Sequence, residues 1–372
     1  MKIGVPKEVK THEYRVGLTP SSVRELTGRG HEVMIEKSAG DGIGCKDTDY
    51  IAAGAKILSS AAEIFGQCEM IVKVKEPQPQ ECAMLREGQI LFTYLHLAAD
   101  KIQTEALRKS KCVAIAYETV TDNEGRLPLL APMSEVAGRM SIQVGARYLE
   151  KEQGGAGVLL GGVPGVQSAK VVVLGGGVVG TNAVRMAIGL GARVTVVDRS
   201  LKRLNELDMQ FGSRLTTAYS TADNIEEQVH TAHLVIGGVL IPGGAAPKLV
   251  TKKMLQGMIP GSVLVDVAID QGGCFETSRP TTHSDPVYRI NDVIHYCVTN
   301  MPGGVPRTSA FALNNATLPF VTAIAQKGWR KALADDKNLA NGLNVCLGEV
   351  TYQAVADDLG FAYAPAAKML AA

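Results

Sequence analysis

The sequence predicts an α/β protein of two doubly wound domains, each a mostly parallel sheet with helices on its faces. Short β-branched runs alternate with helix-patterned segments along almost the whole chain, the mark of βαβ units. A length of 372 residues exceeds what one ordinary domain holds. The 40 glycines gather at the ends of apolar runs, where tight strand-to-helix turns need them, and not in linker or collagen-like repeats.

In the first third, the runs Lys2–Val5, Glu32–Glu36, Met70–Lys75, Ile90–Leu95 and Val113–Glu118 predict strands. Thr19-Pro20-Ser21 predicts a helix start, with proline pre-organised at the first helical position, and Gly30 suits its stop. Met133, Val136, Ala137, Met140, Val144 and Tyr148 recur at helical spacing and predict a connecting helix between the domains. Gly154–Gly165 then reads as a loop. Lys170–Leu174 is the most strand-like run in the sequence. Arg193–Asp198, Leu215–Ala218, Leu234–Gly237, Ser262–Val267 and Ile294–Val298 supply five more strands, with a helix from Ser200 as N-cap to Gly212 as stop. The segment from about Pro306 onward reads as mostly helical, with no strand partner of its own. It is expected to pack back on the first domain, giving a substrate domain of 1–128 plus 306–372 around a second domain of 129–305, with a cleft between them.

Composition narrows the function classes. With 46% apolar and 20% charged residues, the chain buries a real core and is not disordered. Its 38 basic and 37 acidic residues nearly cancel, so no electrostatic footprint for nucleic acid is visible. No apolar run is long enough to span a membrane, and Met1–Glu8 lacks the apolar core of a secretory signal, which predicts a cytoplasmic protein. The seven cysteines are scattered without a C-x-x-C pair, as expected of reduced thiols. His230 and His233 could share a helix face, but no third nearby ligand completes a metal site.

The strongest motif is Gly175-Gly-Gly177-Val178-Val179-Gly180, a G-x-G-x-x-G placed directly after the Lys170–Leu174 strand. A helical pattern follows (Ala183, Val184, Ala187, Ile188), and Asp198 closes the next strand 18 residues past the last motif glycine. That context is the dinucleotide-binding fingerprint of a Rossmann domain. Gly175 allows the tight turn, Gly177 lets the backbone approach a pyrophosphate, and Gly180 lets helix and strand pack closely. Asp198 is placed to accept from the ribose hydroxyls and to repel a 2′-phosphate, favouring NAD over NADP; Arg199 beside it is the residue type that would accommodate that phosphate.

The first domain has no phosphate-binding glycine motif. Arg15, Lys75 and His96 fall after or at the ends of its predicted strands, and Asp270 follows Ser262–Val267 in the second domain, where ligands of open α/β sheets bind. Each has a plain structural alternative: solvated charge for Arg15 and Lys75, a satisfied core histidine for His96, and a turn-initiating aspartate for Asp270.

These residues lie in recognisable runs. Met1–Glu8, Glu13-Tyr-Arg-Val-Gly-Leu-Thr-Pro20, Val72-Lys-Val-Lys-Glu-Pro77, Thr93-Tyr-Leu-His96, Pro132-Met-Ser-Glu135, Asp266-Val-Ala-Ile-Asp-Gln-Gly-Gly273 and Thr299-Asn-Met-Pro-Gly-Gly-Val-Pro306 occur in order along the chain. The whole chain resembles the alanine dehydrogenase/pyridine nucleotide transhydrogenase family, on the side of its alanine dehydrogenases. The resemblance implies two Rossmann-like domains, the first discontinuous and completed by C-terminal helices. It implies reversible, NAD-dependent interconversion of L-alanine with pyruvate and ammonia by a cytoplasmic homohexamer, without nucleic-acid or membrane partners.

By residue, the resemblance matches Arg15 and Lys75 to substrate-binding cations and His96 and Asp270 to the catalytic pair. It matches Ser134, Val178, Val179, Asp198, Arg203, Ser220, Val239, Leu240, Val267, Ala268, Ile269, Asp270, Arg279, Val298, Thr299, Asn300 and Met301, with the motif glycines, to cofactor contacts. Some relatives carry a metal near the C-terminal helices; here Val321–Lys327 offers no carboxylate or histidine, so none is expected. The alternatives are the NAD-binding subunit of a transhydrogenase, which passes hydride to a partner protein, a saccharopine- or opine-type dehydrogenase with a bulkier substrate, and a non-catalytic NAD sensor.

Overall fold

In the computed structural model, which describes residues 1–239 and 246–371, the β-branched runs become strands in two sheets. In chain order they are β1 (Lys2–Val5), β2 (Glu32–Glu36), β3 (Lys56–Leu58), β4 (Met70–Val72), β5 (Ile90–Thr93), β6 (Val113–Ala116), β7 (Lys170–Leu174), β8 (Arg193–Asp198), β9 (Leu215–Tyr219), β10 (Leu234–Gly237), β11 (Val263–Asp266), β12 (Val287–Ile290), β13 (Val293–Tyr296), β14 (Leu343–Cys346) and β15 (Glu349–Val350). The chain divides into two units, Met1–Met133 with Val305–Ala372, and Ser134–Gly304.

The first unit carries the sheet β15-β14-β6-β5-β4-β1-β2-β3. Strands β1 to β6 pair in parallel. Their residues are continuously apolar because helices cover both faces: Ile71, Leu91, Phe92, Ala114 and Ile115 are fully buried. Each such Ile, Leu or Phe side chain contributes about 1.5–3 kcal/mol by leaving water. The helix Pro20–Gly28 begins after Thr19 with proline in its first turn, and Gly30 closes it at φ +84°.

The C-terminal segment departs from the sequence expectation. It is helical over Pro306–Lys327 and Trp329–Asp335, and it also supplies two strands. β14 pairs antiparallel with β6, and β15 returns on β14. The physical reason is the edge of β6: its backbone groups would otherwise lie unpaired against a buried face.

The second unit has the order β12-β13-β11-β10-β7-β8-β9. From β9 through β13 the strands are parallel, and the order reverses between β7 and β10, the doubly wound arrangement with its switch point. β12 adds an antiparallel edge. Val171, Val172, Val173, Leu174 and Leu234–Ile236 are fully buried in its core. The helix Ala131–Tyr148 runs at its recognised period, and the boundary between the units falls in its first turn. Ser200 caps the helix Leu201–Phe211 by accepting from the Arg203 N–H, and Gly212 ends it. All seven cysteines are buried free thiols. Among the described residues no helix is long and apolar enough to cross a membrane.

Candidate active site

In the first unit, the segments after β1, β4, β5 and β6 emerge side by side because those strands are neighbours in the sheet. Arg15 is buried and held by Glu13: Nε donates to Oε1 at 2.7 Å and Nη2 to Oε2 at 2.6 Å, a bidentate fork. Its Nη1 faces the Met133 sulfur at 3.0 Å. Burial works against the charge on Arg15, but the Glu13 carboxylate more than offsets it and raises the guanidinium pKa. Arg15 is therefore a fixed cation at every accessible pH, and the solvated-charge alternative fails.

Lys75 does not close a strand, contrary to its position in the apolar run; β4 ends at Val72. The extension stays ordered because Glu8 receives the Val74 N–H at 2.7 Å and the Lys75 N–H at 3.4 Å, while Thr93 Oγ1 donates to the Lys75 carbonyl at 2.9 Å. The chain bends at Val74 and Lys75, so strand pairing stops earlier than the apolar run. The Lys75 ammonium lies 3.6 Å from Glu76 Oε2, and Lys10 bonds the other Glu76 oxygen. Beneath them Lys73, fully buried, bridges Glu8 at 3.1 Å and Glu81 at 2.8 Å.

His96 likewise stands beyond its strand, since β5 ends at Thr93. It is exposed, which disposes of the core-histidine alternative. Its backbone is left-handed at φ +52°. Glu118, after β6, accepts the His96 N–H at 2.6 Å and the Leu95 N–H at 3.1 Å and so holds the turn. The imidazole stacks on Tyr94 (centroids 5.9 Å apart, planes 8° apart). Tyr94 is buried, donates to the Leu129 carbonyl at 2.5 Å, and lies within the field of Arg15. Arg15, Lys75 and His96 thus share one edge of one sheet.

In the second unit the glycine motif sits at the switch point. Gly175 has φ +98°, and a Cβ there would meet the Gly238 carbonyl and the Val239 side chain at 3.0 Å. A Cβ on Gly180 would lie 1.8 Å from the Gly175 carbonyl, so only glycine allows the helix Val178–Gly189 to start this close to β7. Above Gly177 the space is open, with nothing within 4 Å of a built Cβ. That open cradle at the start of a helix is where backbone N–H groups receive a pyrophosphate. Asp198 Oδ2 accepts the Gly176 N–H at 2.7 Å and Oδ1 the Ser200 N–H at 2.8 Å, pinning the carboxylate beside the turn. Arg203 lies across the turn, donating to the Gly176 carbonyl at 2.6 Å and to Thr181 Oγ1 at 2.6 Å. Residues and space both fit a dinucleotide.

Of the remaining residues matched to the cofactor, Ser220, Val239, Val267–Asp270 and Val298–Met301 follow the carboxyl ends of strands of this sheet. Ser220 follows β9 and donates its N–H to the Asp198 carbonyl at 3.0 Å. Val239 follows β10, and Leu240 lies outside the described residues. Val267, Ala268, Ile269 and Asp270 form a 3-10 turn after β11, with Asp270 exposed. Val298, Thr299, Asn300 and Met301 follow β13. Ser134 stands in the first turn of the helix Ala131–Tyr148, one turn before Gly138 abuts the Val179 carbonyl. Arg279 lies over the ring of Tyr288, 4.1 Å from its centroid, and Tyr288 stacks in turn on His295.

Several supporting residues have no role legible in the sequence: Glu13, Glu8, Tyr94, Glu118 and Asp266. One signal exists for Asp266, a charge closing the fully apolar Val263–Val265. His230 and His233 are engaged separately, with the Met254 carbonyl and the Lys170 N–H. Among the described residues no group of three or more His, Cys, Asp or Glu gathers as metal ligands.

Comparison with known proteins matches this architecture end to end. Residues 4–137 match the model of the alanine dehydrogenase/PNT N-terminal domain, and residues 141–353 that of the alanine dehydrogenase/PNT C-terminal domain. An alanine dehydrogenase of Halomonas elongata is 61% identical over the full length of both chains. A solved L-alanine dehydrogenase structure superposes with a TM-score of 0.94 at 54% identity, covering 97% of this chain and 99% of its own. A transhydrogenase from Sinorhizobium meliloti shares the fold at a TM-score of 0.82 and 24% identity, over 94% of this chain and all of its own. The chain belongs to the alanine dehydrogenase/PNT family, on its alanine dehydrogenase branch.

Proposed function

We infer that the protein is an NAD-dependent oxidoreductase that interconverts L-alanine with pyruvate and ammonia. The observation that carries this reading is the full-length 61% identity to an alanine dehydrogenase; the transhydrogenase likeness supports a shared fold alone. The first unit handles the substrate and the second the dinucleotide.

Arg15 binds the substrate carboxylate, for which a fixed planar cation is suited. Lys75 donates to the carbonyl oxygen of pyruvate, or to the hydroxyl of the carbinolamine, and stabilises charge developing there. When bound, NAD supplies the acceptor for the hydride that leaves Cα. The substrate iminium is then hydrated and ammonia expelled. Both steps move protons near neutral pH, and the exposed His96 imidazole is the group to carry them. Asp270 orients the water and supports the positively charged intermediate. The family resemblance supports a cytoplasmic homohexamer, checked by light scattering for six times the chain mass.

Asp198 sets cofactor preference. Asp198→Ala removes the ribose acceptor and also one backbone contact to the glycine turn and one to Ser200, so both cofactors bind less well and NAD loses more. Loss of a charged hydrogen bond is worth about 1.5–3 kcal/mol, so the NAD-to-NADP ratio of kcat/KM falls by about 10–100-fold. An unchanged ratio contradicts the ribose contact.

The activity itself is tested by following NADH oxidation with pyruvate plus ammonium, against 2-oxobutyrate, glyoxylate and NADPH. Turnover that requires both pyruvate and ammonium and prefers NADH supports the reading. Activity only with bulkier 2-oxo acids favours an opine-type enzyme, and no turnover with any 2-oxo acid removes it.

A further inference from the structure

Asp266 closes β11 and is fully buried. Among the described residues its side-chain donors are all neutral. Oδ1 accepts the Ala268 N–H at 3.1 Å and faces the Cys274 thiol at 3.6 Å. Oδ2 accepts the Cys274 N–H at 2.9 Å, the Phe275 N–H at 3.4 Å and the Ser278 hydroxyl. Burial pushes the Asp266 carboxyl pKa up, and the Ser278 hydroxyl with the Cys274 and Phe275 N–H groups pulls it back. A buried carboxylate is costly unless its lone pairs are filled, and here the filling groups come from both ends of one loop.

That loop is the 3-10 turn Val267–Gln271 and its return. Ala268 stands before Asp270, and Cys274, Phe275 and Ser278 stand after it, so one carboxylate staples the two limbs together. Gly272 and Gly273 reverse the chain at φ +84° and +75°, and a Cβ on Gly273 would come within 2.5 Å of Asp266 Oδ2. From the outer side, the Lys248 ammonium bonds the Gly272 and Gly273 carbonyls, the latter at 2.7 Å. Asp270 itself projects exposed from the middle of this closed ring.

We propose that Asp266 is a positioning residue for the reaction: it fixes the Val267–Ser278 loop so that Asp270 is presented in one orientation, with Ser278 as its principal side-chain partner. The proposal rests on the role assigned above to Asp270. A buried anion suits this purpose because every backbone N–H it gathers is lost if the loop opens, so the loop has one strongly preferred closed state. An asparagine there would offer an N–H₂ where a donor is already directed at it, leaving a buried pair of donors facing each other.

The test is a double-mutant cycle on the full-length enzyme, read as kcat for pyruvate and ammonium. Asp266→Asn is expected to lower kcat by about 10–100-fold in the otherwise native enzyme and by less than about 2-fold when Asp270→Asn is already present. Ser278→Ala, which keeps the carboxylate and removes one donor, is expected to cost about 3–10-fold and to show the same loss of effect on the Asp270→Asn background. Where Asp266→Asn does not fold, the Ser278→Ala cycle alone carries the test. Equal factors on both backgrounds, or full turnover in both single variants, overturn the proposal and leave the role of Asp270 standing. Full turnover in Asp270→Asn alone overturns the role of Asp270, and the proposal with it.

Discussion

Replacing His96 with alanine is expected to lower turnover by about 10²–10⁴-fold, some 3–5 kcal/mol of barrier, while NADH binds nearly as before. The expectation follows from where the imidazole stands. It is exposed, so its removal leaves no cavity. The turn that carries it is held by Glu118 through backbone N–H groups that survive the substitution. The side chain's own contact is the stack on Tyr94, whose ring is fixed independently by its bond to the Leu129 carbonyl. Alanine does carry one backbone cost, because residue 96 sits at φ +52°. Asparagine tolerates that region better, so His96→Asn separates strain from chemistry: both variants should lose the same turnover if proton transfer is what is missing. Steady-state kcat with NADH fluorescence titration decides the matter, and native-like turnover in His96→Asn contradicts the assignment.

The second large effect concerns stability. Lys73→Met is expected to cost about 3–5 kcal/mol at neutral pH, because it strands the Glu8 and Glu81 carboxylates in the interior without their shared cation. Burial already raises the Glu8 pKa above its ordinary value, with Lys73 as the main opposing influence, so the variant raises it further. A carboxyl with a raised folded-state pKa favours the fold when protonated. Its contribution is complete below the unfolded-state pKa and is lost as pH climbs through the folded one. The deficit of Lys73→Met should therefore be full at pH 7 and shrink toward pH 4–5, as read from apparent urea midpoints. A deficit of equal size at both ends of that range contradicts the buried-charge account. Because Glu8 also receives the Val74 and Lys75 N–H groups, the same variant should raise KM for pyruvate.

Much of the fold was legible because it depends on local pattern. Lys170–Leu174 reads as a buried strand from its run of valines, and the Gly175 turn needs a residue free to adopt positive φ. Four strands, β3, β12, β14 and β15, were not legible. β3 is three residues long, β12 (Val-Tyr-Arg-Ile) is a half-exposed edge, and β14 is four residues between helical segments. Each is a strand because a neighbouring edge pairs with it, which no local window records. The site divides in the same way. The residue types of Arg15, Lys75, His96, Asp198 and Asp270 can be read along the chain, though the strands before Lys75 and His96 end three residues ahead of them, short of their apolar runs. What holds them cannot: Glu118 grips the His96 turn from 22 residues away, Glu8 grips the Lys75 segment from 67, and Asp266 closes its loop by bonds to groups up to 12 residues on whose approach depends on the fold of the loop. Glu13 was within reach of Arg15 in sequence, but its bidentate geometry depends on both being buried.

Hydride passage between nicotinamide and the α-carbon of alanine is the step on which every assignment above depends. The direct measurement supplies the enzyme with pyruvate, ammonium and NADH deuterated at both C4 positions, then examines the alanine by mass spectrometry and chiral chromatography. The expected product is L-alanine bearing a single deuterium at C2. Alanine without deuterium, or oxidation of the deuterated NADH with no alanine formed, contradicts that step.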